Sequence, residues 1–163
     1  MSDYPEVELS KWEIVHAGNG GMLRQVTALE NRLHDPDAHH RDPMEAHVSG
    51  AIAEYAVSLH LGIPWHPQVG IRWAGEVDGD VGKIEVRSTH LPHGGLILHP
   101  YSFDDRPYVL VLSYRAPIYV PRGWVWGREG KRNWRNDLPR PGYLNKPGWL
   151  HPMETLPVQA VLA

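Results

Sequence analysis

The chain has 163 residues, of which 42% are hydrophobic, and a formal net charge of −3. This length fits one domain with a moderate core. The chain contains no cysteine, which excludes disulfides, thiolate metal sites and cysteine nucleophiles and suits a reducing compartment. No stretch approaches the roughly 18 consecutive apolar residues of a membrane span, and the first residues lack the basic start and apolar run of a signal peptide. We therefore expect a soluble cytoplasmic protein without a membrane partner.

Charges are distributed unevenly along the chain. Residues 1–105 hold 7 Lys/Arg and 16 Asp/Glu, whereas residues 106–149 hold 9 Lys/Arg and 2 acidic residues. Such asymmetry is typical of a protein with an anionic partner, although a solvated basic surface would produce it as well.

The first part of the chain contains one helix pattern. Residues 7–15 alternate partly between apolar and polar types, as in a strand, and GNGG at 18–21 indicates a flexible break. Residues 21–33 predict an amphipathic helix. Its apolar face consists of Leu23, Val26, Leu29 and Leu33. Residues 34–43 combine 2 prolines with 3 histidines and predict a loop.

A second helix is predicted over residues 44–61 by a stripe of apolar residues. The stripe consists of Val48, Ile52, Tyr55, Ala56 and Leu59. Gly62 and Pro64 end the helix, because glycine followed by proline is a common C-terminal signal. Glu54 lies off the stripe, on the face that also carries His47.

From residue 68 onward the pattern favours strands. Candidate strands cover 68–73, 83–89, 94–100, 107–114, 118–120 and 124–126. The nearly continuous apolar run over 107–114 predicts a strand buried on both faces at the centre of a sheet. A short helix is expected near 131–138, and the apolar tail over 156–163 suits a sheet edge. The order of elements predicts an α/β (α+β) fold, with a central sheet flanked by helices, in one domain over residues 1–163.

The segment DGDVGKIEVRST combines a turn with a strand. Alternation along the strand places Ile84 and Val86 on one face and Glu85 and Arg87 on the other. Mg²⁺ prefers oxygen ligands, so Glu85, Asp80 and the backbone carbonyl of Val86 are candidate metal ligands. Arg87 shares the face of Glu85 and is placed to bind a phosphate or a developing oxyanion.

These features resemble the PD-(D/E)XK nuclease superfamily, whose restriction-endonuclease-like fold has a mixed central sheet flanked by helices. The resemblance is carried by GAIAEYAVSLHLG at 50–62 and GDVGKIEVRST at 79–89, followed by GGLILHP and YVLVLSY. It covers residues 44–115. We expect the nuclease-like core over 44–126, with a basic, aromatic C-terminal segment over 127–163.

The resemblance implies a phosphodiesterase that acts on DNA with Mg²⁺ or Mn²⁺ as cofactor. Matched by position, Glu54 is the helix acid, Asp80 the central metal ligand and Glu85 the second ligand. Arg87 stands where lysine is usual and completes the set of candidate catalytic residues. Asp78 is the alternative to Asp80 as metal ligand. Small stand-alone proteins with these motifs are often phage-borne or defence-related.

Arg87 leads to two hypotheses. Arginine keeps the positive charge of lysine but does not readily lose a proton, so it cannot serve as the neutral base that lysine can provide. In the first hypothesis, the chain is an active nuclease in which a metal-bound hydroxide takes that role. In the second, the chain is a catalytically inactive nuclease-fold module that binds nucleic acid or a protein partner. The sequence leaves the oligomeric state open, a homodimer included.

Each candidate residue also has an ordinary structural interpretation. DGDVG fits a plain turn, Glu85 and Arg87 fit the solvent face of an edge strand, and Glu54 fits an exposed acid on a helix. The ordered combination of these residues favours the nuclease interpretation.

The remaining candidates are histidines and residues of the basic segment. No H-x-H or H-E-x-x-H spacing occurs among the 11 histidines, so no dedicated zinc site is expected. His47 is a candidate phosphate contact. Basic residues neutralise phosphates, and aromatic faces stack on unpaired bases. The predicted DNA contacts in the basic segment are therefore Arg128, Lys131, Arg132, Trp134 and Arg135. Trp124 and Trp126 are expected in the core.

Overall fold

The computed structural model describes residues 4–31, 42–69 and 79–159. Within these ranges the helices are α1 (Lys11–Glu30), α2 (Pro43–Leu61) and the single turn α3 (Gly127–Gly130). The strands are β1 (Val7–Glu8), β2 (Glu85–Thr89), β3 (Leu96–Leu98), β4 (Pro107–Arg115), β5 (Ile118–Trp126), β6 (Trp134–Arg135) and β7 (Gly142–Asn145). Two 3₁₀ turns follow at Pro147–Trp149 and Met153–Thr155.

Parts of four predictions lie outside the described residues. These parts are residues 32–33 of the first predicted helix, which include Leu33 of its apolar face, 34–41 of the predicted loop, 70–73 of the first candidate strand and 160–163 of the apolar tail. Asp78, the alternative metal ligand, also lies outside them.

A mixed four-stranded sheet forms the centre of the fold. Its strand order is β1-β5-β4-β2, with β2 parallel to β4 and the other pairs antiparallel. β4 is paired on both sides and buried from its start through Leu112, which confirms the predicted central strand. β5 is one continuous strand across the two short strands predicted at 118–120 and 124–126.

The two faces of this sheet are covered differently. On one face, α2 packs on the sheet and α1 packs on α2. The core on this side includes Ala53, Val57, Ile84, Val86 and Val109. On the other face lies a second sheet of order β3-β7-β6, whose Leu96 and Leu98 pack against β4 and β5. The α+β class and the mixed central sheet are thus confirmed, but the long helices of the described ranges flank one face alone.

The start of α1 corrects two predictions about the first part of the chain. The Ser10 hydroxyl accepts a hydrogen bond from the backbone of Glu13, and the Glu13 carboxylate accepts one from the backbone of Ser10. This capping box starts the helix at Lys11, so the strand predicted over 7–15 is limited to β1. The GNGG stretch is helical, and not a break, because glycine allows close packing against α2. A Cβ on Gly21 would lie 2.4 Å from the carbonyl oxygen of His47.

The predicted apolar face of the first helix is on the wrong side. Leu23 and Leu29 are 54% and 65% exposed. The buried face consists instead of small residues, Ala17, Gly20 and Gly21. Gly21 lies against the backbone of α2, and Gly20 lies against Trp65 and Pro67, which follow α2.

The second helix agrees with its prediction at both ends. The Asp42 carboxylate accepts a hydrogen bond from the backbone of Met44, and Gly62 ends α2 in the left-handed conformation with φ +66°. Burial extends beyond the predicted stripe, because α1 covers one side of α2 and the sheet covers another. Glu54 is therefore only 4% exposed, and its interpretation as an exposed helix acid is wrong.

The helix expected near 131–138 is not formed. Trp134 and Arg135 instead form β6, which pairs antiparallel with β7. Trp124 is buried and Trp126 packs against the same core, as predicted.

Candidate active site

β2 carries two of the candidate catalytic residues on one face. Glu85 is paired in register with Tyr108 and Arg87 with Leu110, and both partners belong to the core that faces the second sheet. Val86 lies in the opposite core, beside α2. The predicted alternation along the strand is therefore correct, and Glu85 and Arg87 point away from the helices. Glu85 is only 4% exposed, so it does not lie on a solvent face.

Asp80 is positioned by the hairpin turn that precedes β2. Val81 and Ile84 exchange two backbone hydrogen bonds across this turn. Gly82 makes the turn with φ +58°, a conformation that glycine adopts without strain. Asp80 is 8% exposed, and its Oδ2 accepts a hydrogen bond of 2.7 Å from the backbone N–H of Val86. Asp80 is thus fixed against the strand that carries Glu85.

The guanidinium of Arg87 lies against all three candidate metal ligands of this segment. Its Nη1 is 3.6 Å from Asp80 Oδ2 and donates a 3.0 Å hydrogen bond to the carbonyl of Val86. Its Nη2 is 3.6 Å from Glu85 Oε2. Two carboxylates and one carbonyl therefore converge on one cation. The Arg87 side chain keeps 44% of its surface exposed, so it contacts these oxygens from the solvent side.

Arg106 holds the second oxygen of Glu85. Its Nη1 lies 2.6 Å from Glu85 Oε1, and its guanidinium is 3.9 Å above the ring centroid of Phe103. Arg106 was not among the predicted site residues. The contact depends on the register between β2 and β4. Arg106 directly precedes β4, and Glu85 pairs with Tyr108 near the start of that strand.

Glu54 forms a separate ion pair on the helix side. Its two carboxylate oxygens accept hydrogen bonds of 2.7 and 2.6 Å from Arg24, and Oε2 also accepts one of 3.2 Å from the indole of Trp65. Arg24 donates in addition to the carbonyl of Gln68. Arg24 was also missed by the sequence analysis. The sequence does contain an indication of this pair. Arg24 lies at helical spacing from Ala17 and Gly21 on the buried face of α1, and a buried charge needs a partner.

Electrostatics connect this pair to the rest of the site. Burial raises the pKa of Glu54; the hydrogen bonds from Arg24 oppose this rise, and the negative charge of Asp80 adds to it. Burial acts to lower the pKa of Arg24, but the hydrogen bond with Glu54 and the charges of Glu54 and Asp80 raise it. Glu54 and Asp80 are therefore close enough to interact, although their hydrogen-bond partners differ.

The donor set can be compared with the needs of a divalent ion. Mg²⁺ takes oxygen ligands, commonly one or two carboxylates, and Asp80, Glu85 and the carbonyl of Val86 fit that chemistry. The described residues contain no group of three or more His, Asp or Glu placed to hold a metal ion. An ion at these three oxygens would have to displace the guanidinium of Arg87, whose exposed side chain has room to move.

Some of the predicted DNA contacts hold the fold together through contacts within the chain, and others are exposed to solvent. The Lys131 ammonium donates to the carbonyls of Pro100 and Ser102 and to the Asp104 carboxylate, so it holds a turn. Arg135 pairs with Asp137 through its Nε and Nη2 atoms. The exposed members are Arg128, Arg132, Trp134 and Arg135. His47 is half-buried on α2 where α1 crosses it.

A basic and aromatic groove lies on the second sheet. It has a volume of about 360 Å³ and is lined by Arg132, Trp134, Arg135, Lys146 and Trp149 among others. The Lys146 ammonium is 5.3 Å from the ring centroid of Trp149. Lys146 and Trp149 were not predicted as contacts, although both belong to the same basic segment. The groove combines exposed indoles with cations, as the sequence predicted for this part of the chain.

Comparisons with protein-family models, with curated proteins and with solved structures found no match. The likeness to the nuclease superfamily is therefore a resemblance of sequence motifs. None of the helices in residues 4–31, 42–69 and 79–159 has the length and apolar character needed to cross a membrane.

Proposed function

We propose that this chain is a metal-dependent phosphodiesterase that acts on DNA, a nuclease of the PD-(D/E)XK type. The observation that carries the proposal is the convergence of Asp80, Glu85 and the Val86 carbonyl on one cation, the Arg87 guanidinium. Ordinary surface acids are not buried, and these two carboxylates are 8% and 4% exposed. The burial of two carboxylates around one shared cation supports this proposal, because carboxylates are seldom buried unless they are paired or coordinate a metal.

In this proposal each residue of the site has a distinct task. Asp80, Glu85 and the carbonyl of Val86 would hold Mg²⁺ or Mn²⁺. A divalent ion bound there would supply positive charge and make a coordinated water acidic enough to attack phosphorus at neutral pH. Arg106 fixes the orientation of Glu85 through its 2.6 Å contact. On the helix side, the positive charge of Arg24 attracts Asp80 and the negative charge of Glu54 repels it.

Arg87 acts on the substrate and not as a base. A guanidinium remains protonated at neutral pH, so Arg87 cannot accept the proton of the attacking water. Its exposed side chain is placed to bind a non-bridging phosphate oxygen and to stabilise the negative charge that grows there during attack. The Arg87 guanidinium, which lies 3.6 Å from Asp80 and from Glu85, would have to move away from these carboxylates for them to hold a metal ion.

The charge of the second half of the chain supports DNA as the substrate. Residues 106–149 hold 9 Lys/Arg and 2 acidic residues, and cations of this kind bind DNA by neutralising phosphates. The groove of Trp134 and Trp149 adds aromatic surface to these cations. Lys131 contributes only indirectly, since it holds the turn that contains Pro100 and Ser102.

A second candidate function is favoured by the neutralisation of the carboxylates. Arg24 pairs with Glu54, Arg106 pairs with Glu85, and Arg87 lies against both Glu85 and Asp80. If these ion pairs are permanent, no negative charge remains for a metal. The chain is then a nuclease-fold module that binds nucleic acid or a protein partner without cleaving DNA.

A cleavage assay separates the two candidates. Single- and double-stranded DNA are incubated with the wild type, Asp80→Asn and Glu85→Gln in Mg²⁺, in Mn²⁺ and in EDTA. We expect cleavage only with metal, and a loss of about 100-fold or more in either variant. Glu6→Gln is the matched control, because Glu6 forms an exposed ion pair with Arg115. Equal activity in the site variants and the wild type would rule out the proposed site.

Thermal unfolding with added Mg²⁺ gives a readout that does not depend on cleavage. A metal that binds the folded state raises the Tm with metal concentration, and we expect this rise in the wild type and not in Asp80→Asn. No rise and no cleavage, together with salt-dependent DNA binding, would support the non-catalytic module.

A further inference from the structure

A second groove lies beside Arg87, on the face of β2 that points away from the helices. It has a volume of about 490 Å³, within the range of small-molecule sites in proteins. Arg87 lines it together with the adjoining residues Ser88 and Thr89 and with Leu110 from β4. The opposite side is formed by β3 and by the turn that follows it. The groove therefore shares Arg87 with the candidate active site.

Flat groups form one wall of this groove. The rings of His99 and Tyr101 are stacked, with centroids 5.3 Å apart and an interplanar angle of 12°. The guanidinium carbon of Arg140 is 5.1 Å from the Tyr101 centroid. Tyr101 is 65% exposed, so this residue faces solvent as well as its two neighbours. We call these three side chains the aromatic wall.

The turn that carries the aromatic wall is held rigidly. The backbone N–H of His99 donates to the hydroxyl of Ser102, and the backbone N–H of Ser102 donates to the carbonyl of His99. Lys131 donates to the carbonyls of Pro100 and Ser102. Because the turn is fixed in this way, Tyr101 is presented to a ligand at a low cost in conformational entropy.

The chemistry of the groove matches a nucleotide. A base is flat and stacks on aromatic rings and on guanidinium planes. Arg87 and Arg140 both line the groove and supply two cations for phosphates, and Thr89 supplies a hydroxyl. An isolated anion would need the cations but not the aromatic wall, and an apolar ligand would need neither arginine.

We propose that this groove binds one unpaired base of a DNA strand against the aromatic wall, with phosphates on either side of the base at Arg87 and Arg140. The inference rests on the proposed function, because it places the nucleotide beside the phosphate that is to be cleaved. Within a duplex the faces of each base are covered by neighbouring bases, so the groove selects single-stranded or frayed DNA.

Binding without metal tests this inference directly. Fluorescence anisotropy in EDTA compares three labelled probes: a thymine oligonucleotide of about 12 nucleotides, an abasic strand of equal length and a blunt duplex. We expect the thymine strand to bind more tightly than the other two. Tyr101→Ala should weaken its binding by roughly 5- to 100-fold and leave the abasic strand unchanged. Tyr101→Phe keeps the ring and should bind as the wild type does.

Two further variants complete the design. Tyr114→Ala removes an exposed tyrosine outside the groove and should not change binding. Arg140→Gln should reduce the salt dependence of binding by about one phosphate contact. Circular dichroism and Tm confirm that each variant is folded, which is expected because Tyr101 is largely exposed.

The outcomes distinguish the inference from the proposed function. If Tyr101→Ala binds the thymine strand as tightly as the wild type, the inference is overturned even when the wild type cleaves DNA. If the wild type does not cleave but Tyr101→Ala weakens binding selectively, the inference holds and the proposed catalysis fails. Displacement of the strand by an equal concentration of a free nucleotide would overturn the assignment of a DNA strand as the ligand.

Discussion

The Nη1 atom of Arg87 lies 3.6 Å from Oδ2 of Asp80, and the same guanidinium nitrogen donates to the carbonyl of Val86. Arg87 thus occupies the point where Asp80, Glu85 and the Val86 carbonyl meet. The catalytic hypothesis treats this guanidinium as a cation that exchanges with a metal, whereas the non-catalytic hypothesis treats it as permanent. Predictions about Arg87 therefore separate the two.

Arg87→Ala should strengthen Mg²⁺ binding and weaken catalysis. Removing the guanidinium frees the oxygens of Asp80 and Glu85 and removes a positive charge that repels the ion. Since the side chain is partly exposed, the expected gain in affinity is about 2- to 5-fold. Isothermal titration calorimetry measures the affinity, and a cleavage assay measures the loss of the phosphate contact.

The matched control for this variant is Arg115→Ala. Arg115 pairs with Glu6 at the surface and is 45% exposed, so it resembles Arg87 in charge and exposure. We expect no change in Mg²⁺ affinity. If Arg87→Ala cleaves DNA as fast as the wild type, Arg87 does not contact the phosphate.

Breaking the ion pair of Arg24 and Glu54 should reduce stability strongly. Arg24→Met leaves the Glu54 carboxylate buried without its partner, and such a change costs about 3–5 kcal/mol. The double variant Arg24→Met/Glu54→Leu removes both charges and should recover most of this loss. Urea unfolding followed by tryptophan fluorescence measures the free energies. Equal losses in the single and double variants would show that packing, and not the buried charge, determines the cost.

The raised pKa of Glu54 predicts a pH dependence of stability. The folded state binds the Glu54 proton more tightly than the unfolded state does. The resulting stability is complete below the unfolded pKa and is lost as the pH rises through the raised folded pKa. Glu54→Gln lacks this contribution, so its Tm relative to the wild type should increase as the pH rises through that window. Differential scanning calorimetry over the acidic range up to neutrality measures the difference.

Glu13 provides a control with the opposite sign. Hydrogen bonds from Ser10 lower the pKa of Glu13, so its contribution is present above the unfolded pKa and is lost as the pH falls through the folded pKa. The Tm of Glu13→Gln relative to the wild type should therefore decrease as the pH rises. The same sign in both variants would contradict the pKa shift given for Glu54.

The parts of the fold that follow from local patterns could be predicted from the sequence. The helix α2 has an N-cap, a stripe and a C-terminal glycine, and β4 is a continuous apolar run; both form as expected. The alternation of β2 was sufficient to place Glu85 and Arg87 on one face. These features depend on neighbours within the chain, so periodicity contains the necessary information.

The partners of the site residues could not be predicted in the same way. Arg24 reaches Glu54 across 30 positions, and Arg106 reaches Glu85 across 21. Such contacts depend on the crossing of α1 and α2 and on the register between β2 and β4. The second sheet was also missed, because β6 and β7 are two and four residues long and lack a clear alternation.

The apolar face of α1 is the clearest case in which periodicity was misleading. Helical spacing identifies Leu23, Val26 and Leu29 as one stripe, and the usual expectation is that such a stripe is buried. In α1 the contact with α2 needs small residues, and Gly21 has space only for hydrogen. Close packing of backbones therefore determines which face is buried, and the apolar stripe is left on the exposed side.

This exposed stripe leads to a stability prediction. Because Leu29 is 65% exposed, Leu29→Ala should change the free energy of unfolding by less than about 0.5 kcal/mol. Ile84 is fully buried, and Ile84→Ala should cost about 2–5 kcal/mol. Urea unfolding at two protein concentrations measures both variants. A loss of about 2 kcal/mol or more for Leu29→Ala would show that the stripe is covered in solution, and a loss that grows with protein concentration would identify a second copy of the chain as the cover.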